Sequence, residues 1–349
     1  MKRFCLRRAF MPPTHSFFHF IPRFPKTNGS FLSHTTENRK GNRSIAVFIL
    51  LASALILFAG LFAAADEKAS EPAEANPIAL TVWQLPNQTP TQMMSYVFKA
   101  DSGEVFVIDG GNTGDADYLV ERIKAARPDG HVSAWFLTHL HSDHVNALCK
   151  IMTDKTPGIS VDCIYFNFPP MEWFEKNSSK GEQKEARDFY DALPLFPKTE
   201  TCQPGQTWTF GSATVECLND FDPEQTVNPV NNTSVVFRVT TPKTSLLFLG
   251  DLGVEGGKRI AQNVPREKLK IDYLQMAHHG QNGVNREFYA LCAPTYCLWP
   301  TPDWLWNNNP GTGDDTGPWK TVQVRGWMNE LGVKKHAVIK DGLAEFRLE

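Results

Sequence analysis

Thr138-His139-Leu140-His141-Ser142-Asp143-His144 is the stretch whose reading decides the fold of this chain. Three histidines and one aspartate fall within six residues of it. The apolar run Ala134-Trp135-Phe136-Leu137 precedes it and is short enough to be a buried strand. Val145-Asn146-Ala147-Leu148 follows and predicts the first turn of a helix. The polar side chains therefore sit where a strand stops and a helix starts, with Asp143 and His144 at the helix N-terminus. Residues two apart in an extended backbone point the same way, so His139 and His141 can grip one cation. Asp143 and His144 begin a helical turn and project towards a second position a few ångströms away. One short segment can thus serve two adjacent metal sites, the arrangement used by two-metal hydrolases. Imidazole together with carboxylate suits zinc, with manganese or iron as alternatives.

A two-metal site needs a bridging anion and further ligands, and other predicted strand ends offer them. Leu247-Phe248-Leu249-Gly250-Asp251 is an apolar strand ending in a carboxylate, which is costly to bury unless it is paired or metal-bound. Asp251 is the expected bridge. Met276-Ala277-His278-His279-Gly280 opens onto adjacent histidines in the same way. Val107-Ile108-Asp109-Gly110-Gly111 places Asp109 to support the ligating histidines from behind.

Outward from these motifs, short apolar strands alternate with amphipathic helices. Strands are expected at 80–84, 94–99, 105–109, 134–137, 163–166, 235–239, 245–249, 273–276, 296–299, 336–340 and 343–348. A hairpin is expected over 206–210 and 213–218, with helices at 115–126, 182–192 and 321–331. This order predicts two sheets sandwiched between helix layers, an α/β (α+β) architecture. Cys202 and Cys217 flank the hairpin and are the best candidate disulfide pair among six cysteines past the leader; six buried thiols are the alternative.

Composition changes sharply near residue 66. Of 35 basic and 38 acidic residues, nine and one fall in residues 1–65, which leaves the rest of the chain at a net −11. Residues 1–44 form a basic leader expected to be disordered, and residues 45–65 are an apolar run containing no charge. That run is long enough to span a bilayer, and the basic residues before it keep the N-terminus cytoplasmic. Ala63-Ala64-Ala65 resembles a cleavage site, so signal peptide and uncleaved anchor both stand. Either places the following residues outside the cytoplasm, secreted or membrane-anchored through residues 45–65. Residues 66–77 read as a polar linker and residues 78–349 as one hydrolase domain.

VIDGG, THLHSDH, FLGD and AHHG, in this order, resemble the metallo-β-lactamase superfamily. Asn231-Asn232-Thr233-Ser234-Val235-Val236 followed by FLGD and AHHG is similar to the hydrolase domain of the ComEC competence proteins and to the phosphorylcholine esterases of bacterial surfaces. The resemblance implies a four-layer αββα sandwich with two divalent metal ions at one edge. It implies His139 and His141 on the first ion, Asp143, His144 and one late histidine on the second, and Asp251 between them. By resemblance to the esterases His279 is that ligand, which leaves His278 to face a phosphoryl group. Two departures stand out: a further histidine usual before the bridging aspartate is replaced by Asn231 and Asn232, and the usual HHGS reads His-His-Gly-Gln281. Either asparagine could instead hydrogen-bond a metal-bound water.

Two cations sharing a water lower its pKa towards neutrality. The chemistry suits phosphodiesters, and also esters, lactones and β-lactams. The subfamily resemblance and the spare His278, expected to act in catalysis with Asp143, favour a phosphodiesterase acting on a small or cell-envelope substrate. The alternatives are a nuclease or lactam/lactone hydrolase, and a catalytically silent metal-binding envelope protein. The acidic body argues against long nucleic acid as partner. Trp299, Trp304 and Trp306, with Phe168, Trp173 and Phe174, offer either an aromatic cage or ordinary packing.

Overall fold

The structure is a computed structural model that describes residues 77–349. The basic leader, the apolar run and all but the last residue of the linker lie outside the described residues. Among the described residues no helix is long and apolar enough to cross a membrane.

Two seven-stranded sheets form the centre. The first runs Ala344–Leu348, Leu80–Gln84, Ser95–Ala100, Val105–Asp109, Ala134–Phe136, Cys163–Phe166, Lys198–Thr201 in spatial order. The second runs Lys335–Val338, Tyr296–Trp299, Tyr273–Gln275, Ser245–Phe248, Phe237–Thr240, Ala213–Cys217, Thr207–Phe210. Each is antiparallel along one half and parallel along the other. Parallel strands need covering on both faces, and the period-2 alternation of the strands supplies it. In Val105–Asp109, Phe106 and Ile108 join the cluster between the sheets, while Val105 and Val107 join the one beneath the helices. Leu246 and Phe248 likewise face inward and Leu247 outward. Three apolar layers thus separate four structural layers, helix–sheet–sheet–helix, as expected.

Aromatic rings fill the space between the sheets. Phe98 stacks on Phe106 at 4.4 Å, Phe106 on Phe210 at 4.6 Å, and Phe248 meets Phe98 edge-on at 5.6 Å. Rings from both sheets interlock here, and offset or edge-on pairs add to the burial of their area. This packing fixes the separation of the two sheets, and so the separation of the strand ends that carry the polar motifs.

Several elements depart from the sequence expectation. Lys198–Thr201 is an edge strand with no fully buried residue, so its polar pattern carried no apolar signal. Met171–Asn177, Val254–Asn263 and Arg286–Cys292 are helices. In Val254–Asn263 the pair Gly256-Gly257 disguises the helix. Packing demands them: a Cβ on Gly256 would lie 2.4 Å from a Leu252 methyl, and one on Gly257 2.8 Å from Val284. The six described cysteines are free. Cys202 and Cys217 are buried, and the contact of their thiols together with burial raises the pKa of Cys202, but they are unlinked.

Gly250 is packed against Ser234 and Thr138 at the polar edge. Its φ is +55°, and a Cβ there would lie 2.8 Å from Ser234 Oγ and 2.9 Å from Thr138 Oγ1. Gly250→Ala meets both the left-handed backbone cost, roughly 1–2 kcal/mol, and that overlap. We expect thermal unfolding to show a Tm lowered by roughly 3 °C or more. An unchanged Tm would show that the close approach is not needed.

Candidate metal centre

Every motif residue sits at the carboxyl end of a parallel strand, from both sheets, which is where α/β sheets place their ligands. Ala134–Phe136 ends and His141 becomes the residue before the helix Ser142–Thr153, with Asp143 and His144 in its first turn. Ser245–Phe248 delivers Gly250 and Asp251, and Tyr273–Gln275 delivers His278 and His279. The two strand systems are joined by Val235 N–H donating to Thr138 O at 2.8 Å, and within the second Asp251 N–H donates to Ser234 Oγ at 3.0 Å. His278 and His279 both adopt φ near +50°, within a one-turn 3-10 helix. Two successive non-glycine residues in this region store strain of order 1–3 kcal/mol each. The turn sends their rings apart, to 6.3 Å between centroids.

Two sets of side chains converge here, and they share one carboxylate. Asp143, His144, Asp251 and His279 offer ligand atoms within 4.8 Å of one another, and so do His139, His141 and Asp251. In the first set His144 Nε2 lies 3.3 Å from Asp251 Oδ1, and His279 Nε2 lies 3.1 Å from Asp143 Oδ2 and 3.4 Å from Asp251 Oδ2. In the second, His139 Nε2 lies 2.9 Å from His141 Nδ1 and 3.8 Å from Asp251 Oδ2. His144 Nε2, His279 Nε2 and Asp251 Oδ1 are buried without any hydrogen-bond partner. Buried polar atoms left unsatisfied cost free energy. Three of them turned to one place is what a cation would satisfy, and imidazole nitrogen with carboxylate oxygen is a suitable donor set for transition metals.

Behind this inner ring, neighbouring groups hold the ligands. Asp109 is wholly buried and accepts from Thr138 N–H and Thr138 Oγ1–H, each at 2.8 Å, and from His144 Nδ1–H at 2.7 Å. His279 Nδ1–H donates to Pro300 O at 2.8 Å. These contacts leave Nε2 of each ring free to face inward. Gln92 Nε2–H donates to Asp143 Oδ2 at 2.9 Å, and Gln281 Nε2–H donates to Gln92 Oε1 at 3.0 Å. Gln281, the departure from the HHGS pattern, therefore tethers the loop that holds Asp143. Sequence reasoning missed Gln92, which no motif marks. It also missed Glu182, whose Oε1 lies 3.4 Å from His141 Nε2.

His278 differs from the other histidines. Its Nδ1 is buried without a partner, and its Nε2 stands 3.8 Å from Asp251 Oδ2, outside both ligand sets. The two asparagines also separate. Asn232 Oδ1 accepts from the amides of Gly253 and Gly256 at 2.8 and 3.0 Å, and its Nδ2–H donates to Val227 O. It is spent on the start of the helix Val254–Asn263, which corrects the expectation that it serves the site. Asn231 is buried, donates to Asn228 Oδ1 and keeps its own Oδ1 unpaired. The tryptophans do separate jobs: Trp299 is core, Trp306 packs on Trp299 and carries Arg325, and Trp304 packs on Trp319 and donates to Pro90 O. Trp173 donates to Pro223 O, and Phe174 is fully buried. Packing, not a single cage, accounts for these rings.

Electrostatics follow from burying so many charges together. Burial pushes the His144 imidazole down, but Asp251 and Asp109 outweigh it and its pKa stands well above the ordinary value. Burial likewise opposes the His279 cation, yet Asp251 and Asp143 raise that pKa to about 9. Burial raises Asp251, but the charges of His279 and His144 hold its carboxyl well below the usual range. In the metal-free protein, protons on His144 and His279 thus supply the positive charge that the carboxylates require.

Metal uptake must displace those protons. Because the pKa of His279 is raised to about 9, the competing proton is held throughout the neutral range and lost only as pH rises towards that value. We expect metal affinity to increase from pH 6 to pH 9, with protons released on binding. Calorimetric titration in buffers of different ionisation enthalpy measures this; a pH-independent affinity with no proton release would refute it.

The model of the Metallo-beta-lactamase superfamily matches residues 89–287. Among solved structures, the chain is similar to the metallo-beta-lactamase fold protein YhfI from Bacillus subtilis, at 14% identity and TM-score 0.46, covering 76% of this chain and 99% of that one. It is also similar to yeast PDE1, at 12% identity and TM-score 0.44, covering 75% and 97%. A third is CmlA, a diiron beta-hydroxylase from Streptomyces venezuelae, at 14% identity and TM-score 0.47, covering 79% and 55%. No curated protein matches the sequence. The family match spans more than half of the chain and contains every residue of both ligand sets, and the chain belongs to the metallo-beta-lactamase superfamily.

Proposed function

We propose that this protein is an exported two-metal phosphodiesterase acting on a small extracellular or cell-envelope substrate. The observation that carries the reading is Asp251, shared by two ligand sets, with His278 beside it and committed to neither. Two divalent cations, zinc by preference of the donor set, would clamp phosphoryl oxygens and lower the pKa of a shared water.

The remaining chemistry belongs to the side chains. Asp251, common to both ligand sets, would serve both ions. Asp143, held by Gln92, and His279, held by Pro300 O, orient the second position. Burial lowers the pKa of His278, so the ring is neutral at physiological pH and presents one N–H. That N–H suits a phosphoryl oxygen or the leaving-group oxygen, which gains negative charge as the ester bond breaks. A carbonyl substrate, with a single developing oxyanion, makes less use of the extra donor.

A cavity of about 400 Å³ reaches the cluster, and its wall includes Gln92, Asn112, His141, Asp143, Glu182 and Glu185. It is polar and acidic, with no lysine or arginine in its lining. A long polyanion would meet repulsion there, which supports a small substrate over nucleic acid. Export rests on the uncharged run 45–65 behind the basic leader. A reporter active only outside the cytoplasm, fused after Ala65, should be active.

Metal-reconstituted protein should hydrolyse bis(p-nitrophenyl) phosphate and leave nitrocefin, a homoserine lactone and single-stranded DNA untouched. Asp251→Ala should abolish turnover. His278→Ala should retain both ions and lose about a hundredfold in kcat, the scale of one positioned hydrogen-bond donor to developing negative charge. Turnover of nitrocefin without turnover of the phosphodiester would overturn the reading, as would full activity in Asp251→Ala.

A further inference from the structure

We propose that Glu182 is a positioning residue for the first metal ion, acting through His141. The proposal rests on the two-metal reading above. Of the two ligand sets, the one containing His139 and His141 is the poorer, with three protein groups against four. Its outer ligand His141 is 17% accessible at the side chain, against 12% for Asp143, the outer ligand of the other set. A site with fewer ligands depends more on how well each one is oriented.

The other rings show how orientation is achieved. His144 turns Nε2 inward because Nδ1 is bonded to Asp109, and His279 does so because Nδ1 is bonded to Pro300 O. His139 has Thr138 Oγ1 at 3.2 Å from Nδ1. His141 is reversed: its Nδ1 faces His139 Nε2 at 2.9 Å, so Nε2 is the outward nitrogen. Glu182 Oε1 lies 3.4 Å from that nitrogen. A carboxylate there selects the tautomer protonated on Nε2, leaves the Nδ1 lone pair for the ion, and makes the ring a stronger donor. Glu182 does at the first site what Asp109 does at the second.

The carboxylate is held for this task. Glu182 is the third residue of the helix Lys180–Ala192, and Ser179 is its N-cap. Glu182 Oε2 accepts from Ser179 N–H at 2.6 Å, while Ser179 Oγ accepts from Glu182 N–H at 3.3 Å. This reciprocal pair leaves Oε1 pointing out of the helix start, towards His141. Helix capping and ligand support are thus combined in one side chain, which joins the helical layer to the metal centre.

The two roles can be separated. Glutamine at the third position also closes a capping box, so Glu182→Gln keeps the helix start with its one amide oxygen on Ser179 N–H, and replaces the carboxylate oxygen that faces His141 with an uncharged NH2 donor. Zinc-loaded wild type and variant are titrated with a chelator while bound metal is measured, and the melting temperature of each metal-free protein is recorded. We expect the more weakly held ion of Glu182→Gln to leave at about 10- to 100-fold lower chelator strength. The tighter ion and the metal-free melting temperature should be unchanged. Both ions held as in wild type would overturn the proposal. So would equal loosening of both ions with a lower melting temperature, which would mark Glu182 as a helix cap alone. If wild type holds fewer than two ions, the two-metal reading falls, and the proposal with it.

Discussion

Asp251 is a carboxylate at 1% exposure, and the rest of the site is arranged around the cost of keeping it ionised there. An unpaired charge in such a place would neutralise itself by a pKa shift. Here His139, His144, His278 and His279 each bring a ring nitrogen within 4 Å of one of its oxygens, and the carboxyl stays ionised. The histidines need the aspartate for the same reason. Neither partner is stable in this cleft alone, so the centre forms only when both sheets deliver their strand ends to one place.

That requirement passes down to the packing. His139 to His144 come from the first sheet, and Asp251, His278 and His279 from the second. The stacked phenylalanines between the sheets set the distance, and Gly250 allows the backbones to close to it at the polar edge. Part of the strained backbone lies in the same region: Asp109, His278 and His279 have positive φ, and Gly250 adopts it without a side-chain cost. Strain at a functional site is offset by well-packed structure elsewhere, and the aromatic interior is where that packing lies.

The polar motifs were legible in the sequence because each follows an apolar strand, and a carboxylate or histidine at such a point needs a reason to be buried. The sandwich was legible too, since period-2 alternation and the strand–helix order survive in most elements. What escaped were features without a local signature. Gln92 lies in a loop and acts through contacts with Asp143 and with Gln281, far along the chain. The helix Val254–Asn263 carries two glycines chosen by its neighbours Leu252 and Val284, against its own propensity. Asn231 and Asn232 look equivalent as letters. Only the fold shows that one caps a helix while the other keeps an unpaired oxygen.

The two halves of the centre are not alike, and the difference has a chemical consequence. The set built on Asp143, His144 and His279 is backed by Asp109, Pro300 O and Gln92. The set built on His139 and His141 is backed by one hydroxyl and one carboxylate, and each set turns one member, Asp143 or His141, to the cavity. A cation with many fixed ligands is held firmly but has little room for substrate, whereas one with few ligands can exchange a water for a substrate oxygen. On the proposed two-metal reading, the second set would act as the firmer anchor and the first as the face that accepts substrate.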